Sequence, residues 1–314
     1  MKAAVFGAKG LEARELERPR AGAGQLLVRV RYASLNRRDL TRSEGDEGTV
    51  PGLDWAGEVA ESGAGVHEFK AGDAVMCMGS RGYAQYAVAE ASQTLPVPKG
   101  LALEKAATLP VALFTMHDAI ATHGALKAGE TILIQGASSG VGLMALQIAK
   151  LKGAALVAGS SRRAGERLKA FGADLVVDPS KAEWVDTLTK ATGGKGVDVV
   201  IDQVSGKIFN QTQQATAIGG RIVNVGRLGG MVADFDFNLH ALRRLHYIGV
   251  TFRTRSKDDV REIARRVQAD LWPALEAGKL SLPVDKVFAL EEAEAAHARM
   301  RANEHFGKIL LRTD

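Results

Sequence analysis

The heptapeptide GASSGVG, residues 136–142, follows the apolar run TILIQ (131–135) and leads into VGLMALQIAKLKG (141–153). A turn that cradles a dinucleotide must let its backbone approach a pyrophosphate and present N–H groups at a helix start. Only small side chains permit that approach, and Ala137, Ser138, Ser139, Gly140 and Gly142 are all small. The strand-like run before it and the amphipathic run after it supply the required context. Dinucleotide binding is the expected role, with contacts from Ser138, Ser139, Gly140, Val141 and Gly142.

Outward from this turn the chain alternates strand and helix patterns. ALVAGSS is followed by the helical pattern RRAGERLKAFGA and the strand DLVVD. VDVVIDQV is followed by a helix through IFNQTQQATAI and the strand GGRIVNVG. Such alternation predicts a doubly wound parallel sheet with helices on both faces. The first 110 residues read differently. LLVRVRYASL (26–35) alternates apolar and polar, GEVAES (57–62) and AGDAVMCM (71–78) are further strands, and Gly and Pro punctuate the segment. A small β-rich domain is expected there. Ser256 and Asp259 predict a capping box for a helix to about Ala277, with Pro273 kinking or interrupting it. A last helix, Glu291 to Arg301, has acids first and bases last, and GKILL closes the chain as a strand.

Composition narrows the classes. The chain has 314 residues, a formal charge of +5 and one cysteine, Cys77. One cysteine excludes an intrachain disulfide framework and is too few for a zinc cluster, which favours a reducing, cytoplasmic setting. The bases are scattered among acids, as solvated helix faces are, so no nucleic-acid partner is expected. No run approaches the roughly 18 apolar residues of a membrane span, and MKAAVFGAKG lacks the apolar core of a signal peptide.

In isolation GASSGVG resembles the short-chain dehydrogenase turn, but two consequences of that reading fail. The turn lies more than 130 residues from the start, and none of Tyr32, Tyr83, Tyr86 or Tyr247 has a lysine four residues on. The whole chain resembles instead the medium-chain dehydrogenase/reductase superfamily, and more specifically its zinc-free quinone oxidoreductase family. The resemblance is carried by YASLNRRDL (32–40), PGLDWAGEV (51–59), RGYAQYAV (81–88), LPVALFTMHDAI (109–120) and HFGKILL (305–311). It implies an α/β fold: a Rossmann-type domain over 112–251 and a discontinuous GroES-like catalytic domain from 1–111 and 252–314.

The resemblance also places the zinc ligands of the metal-dependent branch at Asn36, Leu53, Asp54 and Val111. These residues cannot supply the donors of catalytic zinc, so no metal is expected. NAD-dependent relatives carry an acid after the second strand, where this chain has Ser160, Ser161, Arg162 and Arg163. Hydroxyls and guanidinium groups suit a 2′-phosphate, so NADPH is the expected cofactor. Asn36, Thr115, Val225, Gly226, Phe252 and Arg253 are implied near the nicotinamide end, and Gly307 and Lys308 at the phosphates.

Without a metal or a Tyr-Lys pair, hydride delivery to a quinone or an α,β-unsaturated carbonyl is the economical chemistry. Asn36, Asp39 and Asp54 are weak catalytic candidates, the two acids being more ordinary as turn or supporting groups. Two departures from relatives stand out. LTRSEGDEGTV (40–50) lacks their cleft tyrosine, and Pro179 replaces another beside the adenosine end. The alternatives are an enoyl-thioester reductase, with Arg253 and Arg255 on a basic track, and a non-enzymatic NADPH-binding protein. A homodimer is expected, with LHYIGVTF (245–252) as an edge strand or, equally, an internal one.

Overall fold

In the computed structural model, which describes residues 1–41 and 44–314, the short alternating segments become strands β1 (Lys2–Gly7), β2 (Gly10–Glu15), β3 (Gln25–Ser34), β4 (Asp54–Ser62), β5 (Ala74–Met78), β6 (Tyr86–Glu90) and β7 (Thr94–Pro96). Part of the aromatic-free stretch 40–50, namely Arg42 and Ser43, lies outside the described residues. Short helices α1 (Leu103–Ala106) and α2 (Pro110–His117) follow, the latter running into a π-helical turn at Asp118–His123. Then come β8 (Thr131–Gln135), α3 (Gly140–Leu151), β9 (Leu156–Ser160), β10 (Leu175–Val177), α4 (Trp184–Ala191) and β11 (Val197–Asp202). The chain continues through α5 (Phe209–Ala215), β12 (Thr216–Asn224), α6 (Phe237–Arg243), β13 (His246–Gly249), α7 (Lys257–Glu276), β14 (Val284–Ala289), α8 (Ala293–Arg301) and β15 (Lys308–Arg312).

Two compact units result: Met1–Val111 with Ser256–Asp314, and Ala112–Arg255. In the first, β14-β15-β3-β4-β5-β7 form a mixed sheet to which β6 adds by pairing with β3. Its core gathers Leu26, Val28, Trp55, Tyr83, Phe288 and Leu311. In the second, all strands are parallel in the order β10-β9-β8-β11-β12-β13. This is the doubly wound order 3-2-1-4-5-6, in which ligands bind beyond the carboxyl ends of the strands flanking the reversal. Those strands are β8 and β11, and GASSGVG leaves β8.

Several segments depart from the expected pattern. RRAGERLKAFGA forms only a 3-10 helix, Gly165–Phe171, because Gly165 has φ +45° at its start and Gly172 adopts the left-handed conformation at its end. The helix expected through IFNQTQQATAI stops at Ala215, since Thr216 is extended and pairs with Val197 of β11. Pairing with a neighbouring strand overrides local helical preference there. Pro273 does not interrupt α7: it lies in the last turn, and the helix runs three residues past it to Glu276. The capping box is formed, with Ser256 N donating to Asp259 Oδ2 at 3.0 Å and Asp259 N to Ser256 Oγ at 3.1 Å. Of the two alternatives for LHYIGVTF, the edge position is the one found. No helix among the described residues is long and apolar enough to cross a membrane.

Candidate active site

The glycine turn is shaped by backbone crowding. Gly136 has φ +72°, and a Cβ on Gly142 would lie 2.6 Å from Gly136 O. Ser139 caps α3 by accepting Gly142 N–H at 3.0 Å, and its hydroxyl lies 3.0 Å from Gln203 Oε1 at the end of β11. Gln203 Nε2 in turn donates to Gln135 O at 3.1 Å. This bracing spans the sheet reversal. The remaining N–H groups of the first helical turn have no intrahelical acceptor by geometry, so the turn fits a nicotinamide dinucleotide's phosphates. Gly226 also lines this crevice closely, since a Cβ there would meet Gln203 O at 2.7 Å.

The serines differ in what they offer. Ser160, expected to contact cofactor, is buried; its hydroxyl donates to Gln135 Oε1 and accepts Gly136 N–H, so it braces strand ends instead. Ser139 acts mainly as the helix cap. Ser161 Oγ accepts the N–H groups of Arg163 (3.2 Å) and Ala164 (3.0 Å), which leaves its proton free to donate. Ser161, Arg162 and Arg163 line a cleft of about 410 Å³ together with Asp178, Lys181 and Trp184. Lys181, two residues beyond Pro179, was missed by sequence reasoning, because only the tertiary fold brings it to this cleft. Asp178 is held below the usual carboxylate range by the Ser180 hydroxyl and N–H.

Thr115 sits in α2, and Val225 N donates to Asp202 O at 2.8 Å. Phe252 is half-buried, with the Arg255 guanidinium 5.5 Å from its ring centroid. Arg255 is not an uncommitted member of a basic track: its Nη2 donates to Asp118 Oδ2 at 2.5 Å and lies 3.1 Å from His123 Nε2. Arg253 is exposed.

In the other unit, Asn36, Asp39, Asp54, Tyr83 and Lys308 form one cluster. Lys308 Nζ donates to Asn36 Oδ1 at 2.8 Å and to Asp54 Oδ2 at 3.0 Å, and Val111 N donates to Asp54 Oδ1 at 3.1 Å. Asn36 N and Tyr83 OH both donate to Asp39 Oδ2 at 2.9 Å. The expected phosphate role of Lys308 is corrected here: its ammonium is 3% exposed and engaged with Asp54 and Asn36. Gly307 likewise has a structural cause, with φ +89° and a Cβ position 2.2 Å from Pro283 O. Asp54 is fully buried, which raises its carboxyl above the ordinary value while Lys308 acts in the opposite sense. Among the residues at the zinc-ligand positions, Val111 supplies an N–H, Leu53 only hydrocarbon, and the cation on Asn36 and Asp54 is an ammonium. This donor set does not fit a zinc ion.

Two buried groups oppose one another in pH dependence. Burial lifts Asp39 to about 6, and burial lowers His297, whose ring lies edge-on to Tyr83, to about 4. Asp39, raised above its unfolded value, contributes stability that is present at low pH and lost as pH rises through about 6. His297, depressed, contributes stability present above its unfolded value and lost as pH falls through about 4. Asp39→Asn removes the first effect alone. Its unfolding free energy is therefore expected to fall more steeply than wild type on acidification from pH 6 to 4, by about 3 kcal/mol. Urea titrations across that range check this, and parallel pH profiles would refute it.

Two family models match the chain: an alcohol dehydrogenase GroES-like domain over residues 22–99 and a zinc-binding dehydrogenase over 140–269. The quinone oxidoreductase of Rattus norvegicus is 30% identical over 266 residues, 83% of this chain and 79% of the relative. A mycocerosic acid synthase-like polyketide synthase of Mycolicibacterium smegmatis is 30% identical over 324 residues, 99% of this chain and 15% of that protein. The crystal structure of an NAD-dependent alcohol dehydrogenase is 30% identical with a TM-score of 0.85, covering 100% of both chains. Fold and crevice together define a medium-chain dehydrogenase/reductase, an oxidoreductase that binds a nicotinamide cofactor. Within that superfamily, the chain belongs to the quinone oxidoreductase family.

Proposed function

We propose that the chain is an NADPH-dependent, metal-independent reductase that delivers hydride to a quinone or an α,β-unsaturated carbonyl. The observation that carries the cofactor choice is the cleft beyond β9, where Ser161, Arg162, Arg163 and Lys181 stand and no carboxylate follows the strand at the ribose position. In this reading the Ala112–Arg255 unit holds the dinucleotide at the turn 138–142 and near Thr115, Val225, Gly226, Phe252 and Arg253. Bound cofactor supplies the hydride. Quinones and conjugated carbonyls take it without a Lewis acid because the charge spreads onto oxygen, where hydrogen-bond donors suffice.

The match to a polyketide synthase favours a second reading, reduction of an enoyl-thioester. The engagement of Arg255 by Asp118 weakens the basic track that a carrier phosphate would need. Oxidation of NADPH, followed at its absorbance band, with quinones, simple enones and enoyl-thioesters separates these readings. Turnover with quinones or enones that a chelator leaves unchanged is the expected result. Binding of NADPH without turnover on any acceptor would instead mark a non-enzymatic NADPH-binding protein.

We further propose a homodimer through the β13 edge. Near it, Met231 (87%), Val232 (92%) and Phe237 (78%) are heavily exposed, and water-facing apolar groups of this size mark association surfaces. Val232→Asp is expected to convert the dimer to monomer in sedimentation velocity. A wild-type monomer at micromolar concentration would overturn this.

A further inference from the structure

At the carboxyl end of β11 the chain turns through Ser205, whose φ of +53° few L residues adopt, and Gly206 at +60°. A Cβ on Gly206 would lie 2.2 Å from Gly229 O, and Gly229 N donates to Val204 O at 2.7 Å, so the 226–230 loop is held on this turn. Between that loop, the start of α5 and β13 lies a cavity of about 300 Å³, the lower end of the usual range for small-ligand sites. Three rings wall it. Phe209 lies 5.6 Å from Phe235 and 4.8 Å from Tyr247, with 6.5 Å between Phe235 and Tyr247, centroid to centroid. Arg227 and Asp234 stand exposed at the rim with opposite charges, so neither sign of ion is favoured over a neutral molecule.

The polar side of the cavity has a fixed direction of donation. Ser205 Oγ lies 3.1 Å from both Asp202 Oδ2 and Gly226 O, acceptors for its one proton, so it accepts Asn224 Nδ2–H at 2.6 Å. Nδ2 also lies 3.3 Å from Gly226 O, a carbonyl that can only accept, which sets the orientation of the amide. Asn224 is 4% exposed, and its Oδ1 receives no hydrogen bond among the described residues. A buried amide oxygen without a donor is costly. Because Asn224 lines the cavity, Oδ1 is the atom left to meet an occupant.

We propose that this cavity binds a small neutral phenol, its ring against Phe209, Phe235 and Tyr247 and its hydroxyl donating to Asn224 Oδ1. Aromatic rings favour edge or offset contact with one another, and the hydroxyl supplies the donor that the amide oxygen lacks. The site is independent of the reductase reading: it lies wholly in the Ala112–Arg255 unit and requires no bound dinucleotide. Met231 and Val232 form its outer wall and also carry the homodimer proposal, so a second copy is the competing occupant.

Fluorine NMR titration of the full-length protein with para-fluorophenol and para-fluoroanisole tests this. The two differ by one methyl group, which removes the donor. Para-fluorophenol is expected to bind saturably and about tenfold or more tighter than the ether, the effect of leaving a buried acceptor unpaired. Asn224→Leu should remove that preference, and saturating NADPH should leave para-fluorophenol bound. No saturable binding, or equal affinity of wild type for both compounds, overturns the proposal. An unchanged preference in Asn224→Leu, or displacement by NADPH, overturns it as well. If Asn224→Leu does not fold, Phe235→Ala takes its place: about tenfold weaker binding of para-fluorophenol supports the site, and unchanged binding overturns it. Binding by the Val232→Asp variant but not by wild type would mean that a second copy fills the cavity, and the proposal fails.

Discussion

Lys308→Met alone is expected to destabilise the protein by about 3–5 kcal/mol, the usual effect of leaving one member of a buried ion pair uncompensated. Lys308 is 3% exposed, and its removal leaves the fully buried Asp54 carboxylate, among the described residues, with Val111 N–H and a long contact from Asn36. The deficit carries a pH signature. Without the ammonium, burial is opposed by less, the Val111 N–H and the Asn36 amide, and the folded pKa of Asp54 rises further above the unfolded value. A raised acid adds stability only where it is protonated, so the deficit should shrink as pH is lowered from neutrality toward about 4. Coupling to Asp54→Asn should restore most of the loss, because the pair then carries no charge. Thermal and urea unfolding of the two variants at pH 7 and pH 5 measure all three effects. A single variant as stable as wild type would mean that Asp54 is already neutral in the folded protein.

Ser161→Asp is expected to shift the ratio of NADPH to NADH affinity toward NADH by about 10–100-fold or more. A carboxylate about 4 Å from a 2′-phosphate adds roughly 1–4 kcal/mol of repulsion per charge pair at effective dielectrics between water and a protein surface, and about 1.4 kcal/mol is tenfold. The wild-type hydroxyl, which accepts from Arg163 N and Ala164 N, keeps its proton to donate outward. Arg163→Glu should act in the same direction through lost attraction as well as added repulsion. Lys181→Ala should weaken NADPH more than NADH, which would place that lysine on the phosphate. Because these charges lie at an open cleft, the preference should also weaken at high salt. Equal affinities of the wild type for both dinucleotides, measured by fluorescence titration, would remove the basis for NADPH.

Much of this site was legible along the chain because its information is local. A strand, a run of small residues and an amphipathic helix occur consecutively in residues 131–153, and the backbone geometry they build is the same in any such chain. Ser161, Arg162 and Arg163 follow β9 directly, so their clustering needs no distant partner. The capping box at Ser256 and Asp259 is local in the same sense. What misled the reading was also physical. Ser160 looks like its neighbour Ser161, but the fold buries one hydroxyl against Gln135 and Gly136 and leaves the other at the cleft. Thr216 sits in a helical pattern, yet pairing with β11 draws it into a strand.

The sequence by itself determined the doubly wound unit, its glycine turn and the resemblance to reductases, because each depends on neighbours a few residues apart. Only the tertiary structure decided where Lys308 directs its charge. Residues 36, 54 and 308 lie far apart along the chain, and strand pairing of β15 with β3 and of β3 with β4 brings them together. A lysine expected at a phosphate thus becomes the cation on a buried aspartate. No local pattern records that, since the energy of a buried charge depends on what the whole fold packs around it.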